Sequence, residues 1–143
     1  MEPATTECVC TNLRMTTRWI DRIYNQALGK VGLRATGYAI LSRVDAEGPI
    51  TVSRLAGRMA MERTTCSREV ELLTRAGLLQ IEPGPDRRQR VVQLSPVGKD
   101  KLAEGRPHWE VVQERVAEAF GRQYTDDLIG MLRKLLADTE HLY

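Results

Sequence analysis

Between about Cys10 and Leu28, apolar side chains recur at Leu13, Ile20, Ile23, Tyr24, Ala27 and Leu28. Spacings of three, four and seven put them on one face of a helix. Gly29 and Gly32 then supply a stop and a turn. A second helix is predicted from Ala35 to about Glu47, with Tyr38, Ile40, Leu41 and Val44 inward and Gly48-Pro49 ending it. Two shorter helical patterns follow. In the first, Thr51 caps a segment whose Leu55, Ala56 and Met59 face inward. In the second, Cys66, Val70, Leu73 and Gly77 fall at intervals of four, three and four, which predicts a helix from about Glu62 to Ala76 closed by Gly77.

The period then changes. Leu78-Leu79-Gln80-Ile81-Glu82 and Val91-Val92-Gln93-Leu94 read as paired strands. The connection from Pro83 to Arg90 is rich in turn residues and carries Arg87, Arg88 and Arg90. Two tightly joined helices followed by a hairpin with a cationic tip make a winged helix-turn-helix. Beyond it, Ser95-Pro96 opens a long helix marked by Val97, Leu102, Trp109, Val112, Val116, Ala119 and Phe120, with a bend expected near Gly105-Arg106-Pro107. Thr125 is expected to cap a last helix bearing Leu128, Ile129, Leu132, Leu135, Leu136 and Leu142. These leucines exceed what one narrow contact inside a small domain buries. With the stripe of the first helix they point to a second copy of the chain. The expected fold is therefore mainly α with a small β-hairpin wing: a dimerisation helix over 1–34, the winged helix-turn-helix over 35–98, and dimerisation helices over 99–143.

Composition sharpens this picture. The 143 residues are 42% hydrophobic and 28% charged, a globular balance with room for one domain plus a dimerisation arm. No stretch approaches the roughly 20 apolar residues of a membrane helix, and the opening residues lack a basic-then-apolar export pattern. Three cysteines in such a chain fit a reducing cytoplasm and no membrane association. The net charge of +2 divides unevenly: residues 1–49 sum to +1, residues 50–95 to +3 and residues 96–143 to −2. All eight basic residues of the middle segment are arginine, whose planar fork suits phosphate oxygens and the guanine edge.

The order of elements resembles the MarR family of bacterial transcription regulators. The residues that carry the likeness are Leu55-Ala56, the run Met61-Glu62-Arg63-Thr64-Thr65-Cys66-Ser67-Arg68, and Gly77-Leu78. Asp86-Arg87-Arg88, followed by Leu94-Ser95-Pro96-Val97-Gly98, is similar to the family's wing signature of Asp-x-Arg leading into Leu-Thr-x-x-Gly. Serine stands here for threonine and keeps the cap. A branch of the family with an N-terminal Cys-x-Cys is the nearest in pattern, through Cys8-Val9-Cys10-Thr11-Asn12-Leu13-Arg14 and through Pro107-His108-Trp109 with Gln113. The resemblance covers about residues 10–142. It implies a homodimer that binds a pseudo-palindromic double-stranded operator and usually represses nearby genes, with release by a small molecule or by cysteine oxidation.

On that reading Arg63, Thr64, Thr65, Ser67 and Arg68 meet base edges in the major groove, arginine to guanine being the commonest specific contact. Arg88, helped by Arg87 and Arg90, reaches the minor groove, where narrow A·T tracts concentrate negative potential. Asp86 orients a wing arginine or serves as a turn residue, and the two roles are compatible. Ser53 and Arg54 are expected phosphate contacts.

The signal is less legible. Cys8 and Cys10 are candidates for a redox pair, for two soft metal or metalloid ligands, or for small fillers at the start of the first helix. Two thiolates fall short of the four ligands zinc normally takes, so a metal site would need groups from the other subunit. Cys66 is placed as a small core residue of the recognition helix. A ligand cleft between the dimerisation helices and the winged domain is the other candidate. Arg14, Trp19, Tyr24, Tyr38, His108 and Trp109 are its possible lining, suited to an aromatic acid, although aromatics at helical spacing also serve as core. No cofactor is implied. An enzyme would need a nucleophile with a base, a phosphate loop or a metal centre, and no G-x-x-x-x-G-K-S/T, H-E-x-x-H, G-x-S-x-G or C-x-x-C pattern occurs. Glu110, Glu114 and Glu118 at intervals of four read as a solvated helix face. A helical protein-interaction module without DNA binding is the remaining alternative.

Overall fold

The computed structural model describes residues 5–143; the first four residues of the expected N-terminal arm lie outside them. Helix α1 runs Val9–Leu28, α2 Ala35–Glu47, α3 Val52–Arg58 and α4 Arg63–Arg75. Strands β2 (Leu79–Pro83) and β3 (Arg90–Leu94) form the wing, after which α5 spans Pro96–Phe120 and α6 Arg122–Thr139. A two-residue strand β1, Ile50–Thr51, was not expected. It pairs antiparallel with β3 through Ile50–Val92 and Thr51–Val91, giving the sheet order β1-β3-β2.

The core lies where α2, α3, α4 and the sheet converge. Leu28, Ile40, Leu41, Val44, Leu55, Cys66, Val70 and Val92 are essentially sealed from solvent. Burial of each larger aliphatic among them is worth roughly 1.5–3 kcal/mol. The 66, 70, 73 stripe of α4 is buried as its spacing predicts, so the opposite face of that helix is left for solvent or a partner. Leu102 and Val112 of α5 also bury, and Trp109 packs against the core, whereas Val97 and Phe120 are exposed.

Local chemistry sets the boundaries. Thr51 Oγ1 accepts from Arg54 N at 3.2 Å, capping α3. Asn25 of α1 caps its neighbour instead of its own helix: Oδ1 accepts from Ala35 N at 2.7 Å, tying α1 to the start of α2. Gly77, with φ +76°, ends α4 in the left-handed conformation that favours glycine. Pro107 sits inside α5, which continues through it as one helix. The last helix differs from expectation at its start. It begins at Arg122, after Gly121 with φ +104°, so Thr125 is not its cap. Thr125 Oγ1 donates back to Gly121 O at 2.9 Å from inside the first turn. The positive φ at Gly121 breaks α5 from α6 a turn before the threonine, and a polar side chain bonding backward mimics a cap in sequence.

The tightest approach is at Gly98. A Cβ there would stand 1.9 Å from the Leu78 carbonyl oxygen, a backbone atom that cannot step aside. Gly57 of α3 has open space around it. Gly98→Ala is therefore expected to cost about 1–3 kcal/mol or more. Gly57→Ala should instead gain about 0.5–1 kcal/mol. Urea unfolding of both variants checks the pair, and a Gly98→Ala protein as stable as the parent would contradict the packing.

Candidate nucleic-acid interface and sensor sites

The surface of α4 away from its buried stripe presents Thr64, Thr65 and Arg68 to solvent, with Ser67 half-buried beside them and Arg63 exposed at the first residue of the helix. Three of the exposed side chains follow from the packing: Cys66, Val70 and Leu73 point inward, and the helical period turns Thr64, Thr65 and Arg68 out. Arg63, in phase with the buried stripe, is exposed as the first residue of the helix. Ser53 and Arg54 are exposed on the first turn of α3. The helix-turn-helix therefore carries its polar and cationic groups on the outside of both helices.

The wing adds a second cationic element. Its tip closes through Gly84 N to Gln89 O at 2.9 Å and Gln89 N to Asp86 O at 2.8 Å. Asp86 Oδ1 accepts from the Arg88 main-chain N–H at 3.1 Å. It acts as the turn residue, orienting Arg88 through its backbone and pairing with no guanidinium among the described residues. Arg87 and Arg88 project into solvent without an acidic partner among those residues. Arg90 differs: its Nη1 lies 3.5 Å from Glu71 Oε1, which ties the tip-side end of β3 to α4. Arg54 is also engaged, 3.7 Å from Glu47. The Arg90–Glu71 pair, exposed on both sides, is worth at most about 1 kcal/mol, whereas Arg54 is exposed against a largely covered Glu47.

A cleft of about 870 Å³ separates α1, α2 and α5 from the loop before α4. Of the six residues expected there, Tyr24, Tyr38 and Trp109 line it, while Arg14, Trp19 and His108 do not. Tyr38 and Trp109 stack with ring centroids 6.1 Å apart and planes at 16°, forming one wall. Tyr24 donates its hydroxyl to the Gln113 side-chain oxygen. Burial pushes the phenols of Tyr24 and Tyr38 above their ordinary range. Arg43 and Arg106 supply cations to the cleft, and Met59 and Met61 reach it from the turn of the helix-turn-helix. Sequence reasoning missed these four. A signal for the α2 side existed: Ala35, Ala39, Ser42 and Ala46 recur at four, three and four, a stripe of side chains too small to fill the space above them. Trp19 lies instead on the outside of α1, more than half exposed, with the Arg22 guanidinium 5.9 Å from its ring.

Cys8 and Cys10 are both exposed and so fill no core of this chain, whereas Cys66 is buried. Cys8 is the N-cap of α1. Hydrogen bonds from the side chain and backbone of Thr11 hold its thiol below the ordinary range. Arg14 Nε donates to Cys10 Sγ at 3.4 Å, and Cys10 and Arg14 border a groove of about 570 Å³ between α1 and α6. Among the described residues no three His, Cys, Asp or Glu side chains converge as metal ligands. Burial raises the Cys66 thiol. A lowered, exposed thiol holds more thiolate at a given pH than a raised, buried one. Iodoacetamide at pH 8 should thus alkylate Cys8 first and leave Cys66 unmodified until the fold is melted. Peptide mass spectrometry reads this, and early labelling of Cys66 would contradict it.

No protein-family model and no curated protein matches the chain. Solved structures do. The transcriptional regulator MosR of M. tuberculosis, determined with DNA, superposes at a TM-score of 0.80 with 30% identity over 92% of this chain and 98% of that one. A probable transcriptional regulator from Pseudomonas aeruginosa gives 0.81 with 28% identity over 90% and 97%. A mutant MarR from E. coli complexed with operator DNA shares the fold, at 0.80 with 18% identity over 90% and 93%. No helix among the described residues is long and apolar enough to cross a membrane.

Proposed function

Since the chain belongs to the MarR family and is a DNA-binding transcriptional regulator, not an enzyme, we propose that it acts as a homodimeric repressor of a pseudo-palindromic operator. Residues 35–98 are the reading head, and 1–34 with 99–143 the arms that join two copies. The apolar side chains left exposed on a single copy support the dimer: Val9 and Leu13 on α1, with Met131, Leu132, Leu136 and Leu142 toward the C-terminus. Exposed apolar side chains in this number at the two ends of the chain call for a cover. In the dimer α4 enters the major groove with Arg63, Thr64, Thr65, Ser67 and Arg68. Ser53 and Arg54 grip phosphates, and Arg87 and Arg88 of the wing follow the minor groove with Arg90 where the tip joins β3.

Release follows from occupation of the cleft by a small aromatic acid. The observation that carries this reading is the reach of Met59 and Met61 into the cleft. An occupant touches the arms and the turn of the helix-turn-helix together, so it biases their relative placement. The lowered thiol of Cys8 supports a second input. Peroxide would oxidise the Cys8 thiolate to a sulfenic acid with release of water. The Cys10 thiol would then displace a second water to form a disulfide.

Two measurements test these roles. On a duplex from the chain's own upstream region, Arg88→Ala is expected to weaken binding and to lower the slope of log affinity against log salt by about 1 per wing. An unchanged affinity across the titration would remove the wing from the interface. For the signal, aromatic acids and peroxide are each added to the protein–DNA complex, with the parent and a Cys8→Ser, Cys10→Ser variant. The variant should keep its response to aromatic acids and lose that to peroxide. A variant still released by peroxide would end the cysteine reading.

A further inference from the structure

Glu47 closes α2 and is surrounded by three guanidinium groups. Arg43 Nη1, one turn back on the same helix, lies 3.5 Å from its Oε1. From α3, Arg58 Nε lies 3.0 Å from Oε1 and Arg54 Nη2 3.7 Å from Oε2. The Glu47 side chain keeps 14% of its exposure, while those of Arg54 and Arg58 keep 67% and 55%. One negative charge stands against three positive ones, so the arginines compete for it. Because the three guanidinium groups share one largely covered carboxylate, what this cluster supplies is a choice of partner. The competitors also face different places. Arg43 lines the cleft, and Arg54 is exposed beside Ser53 on the first turn of α3.

We propose that Glu47 is a positioning residue that couples the cleft to the DNA-facing helix by rationing its carboxylate. With the cleft empty, Arg58 donates from Nε to Glu47 Oε2 at 3.3 Å and Arg43 stands 3.5 Å from Oε1, so Arg54, the most distant of the three at 3.7 Å, is the one that leaves for a phosphate. An aromatic carboxylate in the cleft draws Arg43 to itself. Glu47 then retains Arg54, and the phosphate contact is lost. In the other direction, DNA holding Arg54 makes Arg43 more necessary to Glu47, so DNA and ligand oppose each other by the same factor. This rests on the cleft as effector site and on Arg54 as phosphate contact.

The test uses the full chain, the upstream duplex and fluorescence anisotropy at several salt concentrations. Arg43→Gln should weaken DNA binding about five- to tenfold without any ligand, and lower the salt slope by about one per reading head. In a Glu47→Gln background the same change should do nothing, because no carboxylate remains to capture Arg54. Arg43→Lys, which keeps a cation near Glu47, should retain most of the affinity and shows that the site tolerates substitution. Equal losses in both backgrounds, or no loss in either, overturn the coupling. The two underlying readings fail separately. An unchanged salt slope in Arg54→Ala removes the phosphate contact and the coupling with it. For the cleft, 4-hydroxybenzoate is titrated against Trp109 fluorescence in a Trp19→Phe background, with 4-hydroxybenzamide as the uncharged control. If 4-hydroxybenzoate quenches Trp109 and frees DNA from Glu47→Gln as readily as from the parent, the cleft stands and the coupling falls.

Discussion

The carbonyl of Leu78 is the point on which the winged helix-turn-helix is assembled. It accepts the Ser95 N–H at 3.1 Å, and Gly98 crosses it with no room for a side chain. Ser95 adds two bonds of its own, donating from Oγ to the Gly77 carbonyl and accepting from Gly98 N at 2.9 Å. One crossing thus joins the end of α4, both ends of the wing and the start of α5. Register between β2 and β3 follows from it, Leu79 standing opposite Leu94 and Pro83 opposite Arg90. The wing tip can present Arg87 and Arg88 to a polyanion because its base is held by backbone groups that have no alternative partners. Loss of any of these bonds would strand a buried polar group, which costs more than the bond itself contributes.

Most of the architecture was legible because it is written in periods that burial enforces. The α4 stripe, the α2 core face and the capping residues Thr51 and Ser95 appear where spacing and chemistry put them. What failed was local. Two residues, Ile50 and Thr51, carry no periodicity, and their strand exists only because β3 offers an unpaired edge. Thr125 has the chemistry of a cap but not the position, since the backbone turns at Gly121.

The site divides in the same way. Residues that face outward because their neighbours must face inward were legible on α4, and the arginines of the wing were legible because charge excludes them from a core. The cleft was read only in part. Tyr24, Tyr38 and Trp109 share it with Arg43 of α2, Arg106 of α5 and two methionines from the turn before α4, and that convergence is a property of packing rather than of any one segment. Arg14 and Trp19 lie on α1 and His108 on α5, the same helices as the lining residues but outside the cleft, as aromatic type alone does not distinguish sides of a helix.

Helix α5 has a mechanical consequence. It is one continuous element from Pro96 to Phe120, stitched to the wing base at Ser95 and pressed against the Tyr38 ring through Trp109. At 1.5 Å of rise per residue, those two anchor points stand roughly 21 Å apart. A tilt of only about 5° about Trp109 would therefore carry the wing base sideways by roughly 2 Å, over a lever arm of that length. A displacement on that scale exceeds the tolerance of a direct hydrogen bond. A continuous helix of this length would turn a small adjustment of two stacked rings into the making or breaking of contacts at its far end.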